Sequence, residues 1–123
     1  MSEANKAAVR RIAEEVWNER KHDRIDEYFA TDYANTDPSC PEVKDLEQFK
    51  QWLTEIHNGF SEHHVIIEDM VAEGDKVAKQ WSVQATHTGD YMGIPATNKM
   101  SNMSGITIYR IVDGKVKECV WSY

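Results

Sequence analysis

The stretch AEGDKVAKQWSVQATHTGDYMGIP, residues 72–95, decides how the chain folds. Gly74-Asp75 is a short turn of the kind that needs positive φ. It separates two runs rich in β-branched and aromatic residues, Val65 to Ala72 and Val77 to His87, so an antiparallel hairpin is expected. Past the second run, Thr86 to Pro95 gathers titratable, hydroxyl and aromatic side chains beside Gly89 and Gly93, which let a backbone turn sharply. Such a loop at a sheet edge suits the mouth of a ligand pocket.

Working outward, Val9, Ile12, Ala13, Val16 and Trp17 recur at helical spacing and predict a helix over about Asn5 to Arg20, with Arg10, Arg11, Glu14 and Glu15 in water. Asp23 is expected to cap a short second helix, DRIDEYF. Asp37-Pro38 and Cys40-Pro41 make Tyr33 to Val43 a loop following a short strand. Asp45 with Gln48 resembles a capping box, and Leu46, Phe49, Leu53 and Ile56 form the buried stripe of a third helix stopped by Asn58-Gly59. Strands follow over about 63–73, 76–88, 99–112 and 115–123, the last two joined by Asp113-Gly114, a strong type I′ signal. Helices first and a meander afterwards predict an α+β fold: a curved, mostly antiparallel sheet wrapping its helices around a cavity, in a single domain over residues 1–123.

Composition narrows the function. At 123 residues the chain can bury roughly two-thirds of its unfolded surface. A net charge of -7 without a cluster of Lys or Arg disfavours nucleic acid and anionic membrane. No apolar run is long enough to span a bilayer, and the polar opening Met1 to Arg11 predicts no secretory leader and a cytoplasmic location. Cys40 and Cys119 are expected to be reduced thiols. His57, His63 and His64 do not make a metal site, since neighbouring strand residues point to opposite faces and no carboxylate or thiol completes the set; no cofactor motif is present.

On the strand after Gly74-Asp75, Val77, Lys79, Trp81, Val83, Ala85 and His87 share one parity and are the more apolar set, so they are expected to face inward with His87 at the open end. On the next strand Asn102, Ser104, Ile106, Ile108 and Arg110 compete with Met103, Gly105, Thr107, Tyr109 and Ile111, and apolarity does not choose between them. His87 is the leading candidate for proton transfer, oriented by Asp90 across a turn, with the alternative that it only bonds loop backbone. Trp81, Tyr91 and Trp17 could stack on a flat ring or simply fill the core, and Asn102 joins the binding candidates if its parity faces inward. Asp37 and Asp69 read as a turn carboxylate and a solvent-facing one.

Several segments together resemble the SnoaL-like polyketide cyclase or ester cyclase family, within the cone-shaped α+β folds shared with nuclear transport factor 2. They are Glu14 to Asn18, Thr31 to Pro38, Ile67 to Val77, Thr86 to Gly89, Gly93 to Thr97, Gly105 to Arg110 and Asp113 to Val116. The resemblance implies a pocket for a small apolar or aromatic ligand, an asparagine contacting substrate at Asn35, and a homodimer formed through the outer sheet face. In relatives an aldol ring closure is driven by an aspartate just past the last strand, and this sequence, which ends at Tyr123, carries no counterpart of it. The sequence carries Thr36 where many relatives have histidine, and Glu118 is the candidate substitute carboxylate on the last strand, with pairing to Arg110 or a lysine across the hairpin as the equal alternative. Two functions follow: a cyclase- or isomerase-type enzyme on a cyclic or polyketide-like carbonyl compound, using His87 with Asp90 or Glu118, or a binder or dimeric scaffold without that chemistry.

Overall fold

The computed structural model describes residues 2–123, with side chains from residue 3 onward. Helix α1 (Ser2–Arg11) runs into a π-helical segment, Ile12–Asn18, in which Glu19 N–H donates to Glu14 O at 2.8 Å. The helix expected over 5–20 therefore changes pitch midway. The wider turn gathers Ile12, Ala13, Val16 and Trp17 on one buried face, the same residues that the apolar spacing had grouped. A 3₁₀ turn, His22–Arg24, and a short α2 (Ile25–Tyr28) follow. Asp23 lies inside the 3₁₀ turn rather than capping it, and Phe29 opens strand β1 (Phe29–Thr36) instead of ending the helix.

Helix α3 (Leu46–Gly59) starts where Asp45 accepts the Gln48 N–H at 2.9 Å, while Gln48 Oε1 reaches one residue beyond the cap to accept from Lys44 N–H at 2.9 Å. Its buried stripe is Leu46, Phe49, Leu53 and Ile56, with Trp52 and His57 beside it. Each such aromatic or aliphatic side chain contributes about 1.5–3 kcal/mol of burial.

The remaining strands are β2 (Glu62–Glu73), β3 (Lys76–Thr86), β4 (Met100–Val112) and β5 (Lys115–Ser122), ordered β1-β5-β4-β3-β2. All neighbours are antiparallel except β1, which lies parallel to β5. At the β2–β3 turn only Gly74 has positive φ, +60°, the type II′ pattern; at the β4–β5 turn Asp113 (+53°) and Gly114 (+76°) both do, as type I′ requires.

Two irregularities set which side chains reach the interior. Between Ile67 and Asp69 an extra residue on β2 shifts the register, so Val65 and, beyond the shift, Met70 are both buried. On β5, Arg110 pairs with Glu118 but Ile111 pairs with Val116, leaving Lys117 as the extra residue. Val116 points inward, and without the bulge Glu118 would too. With it, Cys119 and Trp121 are buried, while Glu118 and Val120 turn to the other face.

On β4 the open choice of parity resolves as Thr107, Tyr109 and Ile111 inward, which puts Asn102, Ile106, Ile108 and Arg110 on the outer face. Across that outer face Val71, Ala78, Ile108 and Val120 are successive register partners, with Val71 62%, Ile108 42% and Val120 41% exposed. No helix among the described residues is long and apolar enough to cross a membrane.

Candidate functional site

Between the inner sheet face and the helices lies a cavity of about 150 Å³. The inward row of β3, Lys79, Trp81, Val83 and Ala85, forms one wall. The π-helical Trp17 and the α3 residues Trp52 and Ile56 form the opposite wall. β2 contributes His63 and Val65, and β5 contributes Trp121. Phe60, Tyr91, Ser101, Met103 and Tyr123 surround the end where β4 becomes exposed. The other end closes at Lys79, which is only 2% exposed. Trp17 anchors the helical wall, edge-to-face with Phe49, Trp52, His57 and Trp121 and stacked on His63 at 5.7 Å between ring centroids.

The polar groups on these walls differ in how well they are satisfied. Trp81 Nε1 donates to Thr107 Oγ1 at 2.9 Å, and Trp121 Nε1 donates to Asn35 Oδ1 at 2.8 Å. Trp52 Nε1, by contrast, is buried beside the Tyr91 side chain with no hydrogen-bond acceptor among the described residues. His63 Nδ1 is likewise buried and unpartnered. Buried polar atoms normally find partners, so two unpaired ones on one apolar cavity mark places where a ligand oxygen gains a hydrogen bond.

Charge in the cavity is governed by desolvation. Burial, with the Arg20 guanidinium nearby, lowers His63 to about 4, so its imidazole is neutral at pH 7. His57, behind it, is lowered to about 3 by burial, Arg20 and His22. Its tautomer follows from its neighbours. Trp17 O can only accept, so His57 Nε2 carries the hydrogen (3.0 Å), and His57 Nδ1 accepts from His22 Nε2 (2.6 Å). Arg20, at φ +60°, holds this corner by donating to His57 O, Phe60 O and Ser61 O at 2.7–2.9 Å. Burial lowers the Lys79 ammonium from 10.5 to about 8. No carboxylate lies within 4.0 Å of its Nζ among the described residues, and the nitrogen sits 5.1 Å over the Tyr109 ring.

Of the residues singled out from sequence, Trp17, Trp81 and Tyr91 line the cavity. His87 does not. β3 ends at Thr86, and His87 turns beside Phe60, its Nδ1 3.2 Å from Thr97 Oγ1, with backbone bonds to Asn98 and Lys99. Asp90 is exposed in the following loop. Glu118 is turned outward by the β5 bulge and faces Arg110 at 3.7 Å, and Asn102 lies exposed on the outer face. Asn35 is buried beside the cavity rather than in its lining. Its Oδ1 accepts from Tyr33 OH (2.6 Å) and Trp121, and its Nδ2 donates to Val43 O (3.0 Å), so both ends of the amide are engaged within the protein.

Sequence reasoning passed over His63, Trp52, Trp121 and Tyr123. His63 shares the inward parity of Val65, a signal legible on β2 that a metal-ligand reading of His57, His63 and His64 does not use. Among the described residues no group of three or more His, Cys, Asp or Glu is placed to hold a metal ion. Asp37 forms its turn as expected, accepting from Ser39 N–H at 2.9 Å, yet it is 3% exposed and also accepts the Tyr123 hydroxyl at 2.7 Å. Burial and that bond hold the Tyr123 phenol well above its ordinary value.

The architecture has known counterparts. Residues 7–123 match the SnoaL-like polyketide cyclase family model. The aklanonic acid methyl ester cyclase DnrD of Streptomyces peucetius is 30% identical over 115 residues, covering 89% of this chain and 77% of that protein. The cyclase DauD of Streptomyces sp. (strain C5) is 31% identical, over 89% of this chain and 70% of its own length. The structure of a SnoaL-like polyketide-cyclase homologue from Jannaschia sp. CCS1 superposes with a TM-score of 0.89 at 23% identity, covering 99% of this chain and 86% of the other. A match that runs through nearly every element framing the cavity makes this chain a member of the SnoaL-like polyketide cyclase family.

Proposed function

We propose that the cavity takes a cyclic, carbonyl-bearing compound and that the protein acts on it by proton transfer in the manner of a cyclase or isomerase. The observation that carries this reading is the pairing of aromatic walls with the unpartnered Trp52 Nε1 and His63 Nδ1. A planar ring stacks on the walls while a carbonyl oxygen accepts from Trp52, and a neutral imidazole offers or accepts a hydrogen without adding charge. A cavity of about 150 Å³ accommodates roughly one benzene-sized ring, so a single ring or the ring end of a longer molecule is favoured. The two Streptomyces relatives are by name cyclases of a methyl ester, which supports a carbonyl compound as the class. The groups that replace His87, Asp90 and Glu118 for proton transfer are His63, Lys79, Tyr91 and Tyr123, the last backed by Asp37.

A second reading, binding without turnover, is favoured by one observation: no carboxylate lines the cavity among the described residues. Thermal-shift screening of one-ring aromatic ketones and β-keto esters, followed by mass spectrometry of each stabilising compound, separates the two. Conversion that is lost in His63→Phe supports the enzyme, and stabilisation without conversion supports the binder. No stabilisation by any compound of the class removes both. The apolar outer row of Val71, Ile108 and Val120 supports homodimerisation through that face.

A further inference from the structure

Lysine is a rare occupant of a protein interior, and when it is buried a carboxylate usually accompanies it. Lys79 breaks that pattern. It occupies the inward row between Val77 and Trp81, its register partners Met70 and Thr107 are also buried, and no carboxylate reaches its nitrogen among the described residues. The nearest ionisable thiol, Cys119, is pushed up to about 12 by burial and so supplies no negative charge. An apolar side chain would fit this row with no desolvation cost. A residue that is costly where it stands, and that also forms the closed end of a ligand-sized cavity, is the pattern expected of a functional group.

We propose that Lys79 is a nucleophilic amine that forms an imine with the carbonyl carbon of an aromatic aldehyde or ketone held in the cavity. This deepens, and rests on, the reading of the cavity as a site for ring-bearing carbonyl compounds. The nitrogen lone pair attacks the carbonyl carbon and the C–O π pair moves onto oxygen. The two amine hydrogens then leave with that oxygen as water as the C=N bond forms, so the step balances without oxidant or reductant. The apolar walls favour loss of water, and burial keeps a useful fraction of the amine neutral near pH 8, whereas solvent-exposed lysines are almost wholly protonated there. Where the ligand is a ketone with hydrogen on the carbon next to the carbonyl, the protonated imine draws electrons from that carbon and acidifies its C–H, which is the activation that carbon–carbon bond formation in a ring closure requires; an aromatic aldehyde, with no such hydrogen, stops at the imine. Trp52 Nε1–H, on the facing wall, is placed to hold a second oxygen of the ligand.

The test uses the intact wild-type protein with benzaldehyde at pH 7.5 in the presence of sodium cyanoborohydride, which reduces an imine to a stable secondary amine. Peptide mapping reads the position. The expected result is one benzyl group per chain, on Lys79, formed at least tenfold faster than on any other lysine and slowed by toluene, which fills the cavity but cannot form an imine. Lys79→Met abolishes the adduct while leaving toluene quenching of tryptophan fluorescence in place. Three results would overturn the proposal: benzylation spread over exposed lysines with Lys79 unmodified, a Lys79 adduct that toluene does not slow, or stabilisation by benzoate that depends on Lys79 without any trapping by benzaldehyde, which would make the lysine an anion partner. If toluene still quenches in the first case, the cavity reading stands and only the covalent step fails. If neither toluene nor benzaldehyde binds, the cavity reading fails as well.

Discussion

Replacing Lys79 by Met should make the protein more stable, and the size of the effect follows from its surroundings. The ammonium is lowered from 10.5 to about 8 by burial, and that difference is worth about 3 kcal/mol of folding free energy. The sign is set by proton uptake. Between pH 8 and 10.5 the unfolded chain holds the proton and the folded chain does not, so stability rises with pH across this window. Below pH 8 the full cost is present; above 10.5 it is gone. Met keeps the shape of the stem and removes the charge, so at pH 7 Lys79→Met should gain about 3 kcal/mol, which for a domain of this size raises Tm by roughly 10 °C. Urea denaturation of both proteins at pH 7, 8, 9 and 10 measures it. The two curves should converge as the pH rises, because only the wild type carries the lysine penalty. A variant that is equally or less stable at pH 7, or a gap that stays constant to pH 10, would refute the claim that an unpaired buried ammonium stands at this position.

Acid should weaken the fold before its carboxylates titrate, because His57 and His63 are lowered to about 3 and about 4 and stay neutral while the unfolded chain takes up protons below pH 6.5. Stability is therefore fully present above pH 6.5 and falls as pH drops, by about 2 kcal/mol at pH 5 after discounting for partial solvent screening, as read from urea midpoints at pH 7 and pH 5. Asn35→Ala strands Tyr33 OH, Trp121 Nε1 and Val43 O and should cost about 3 kcal/mol, with loss of near-ultraviolet dichroism from the displaced Trp121. Gly105→Ala would bring a methyl to within 2.7 Å of Ser122 O and Trp81 Cζ2 and 2.6 Å of Tyr123 Cβ, so it should lower stability by about 2–3 kcal/mol and weaken ring binding in a fluorescence titration. Ile108→Glu on the outer face should leave Tm of the isolated chain within a few degrees and convert the proposed dimer to a monomer in light scattering.

Periodicity carried the architecture. The apolar rows on α1 and α3, Gly74-Asp75 and Asp113-Gly114 place the helices and turns because local sterics act within a few residues. The same local logic put Val77, Lys79, Trp81, Val83 and Ala85 on one face. It failed at His87, where β3 stops one residue short and the loop carries the ring away, and at Glu118, where one extra residue on β5 reverses the alternation. A bulge leaves no compositional mark in a strand, so Lys117 gave no warning.

The sequence alone determined that helices precede a twisted meander, that Trp17, Trp81 and Tyr91 belong to its interior or its mouth, and that the chain resembles the SnoaL-like cyclases. Those features are written in spacing and order. Only the tertiary structure decided which titratable groups meet. Tyr123 reaches Asp37 across the chain, His63 stacks on Trp17 above the His57–His22 pair, and Lys79 ends the cavity without a carboxylate. Desolvation and the partners available at a buried atom are properties of where distant segments come to rest, and no local pattern encodes them.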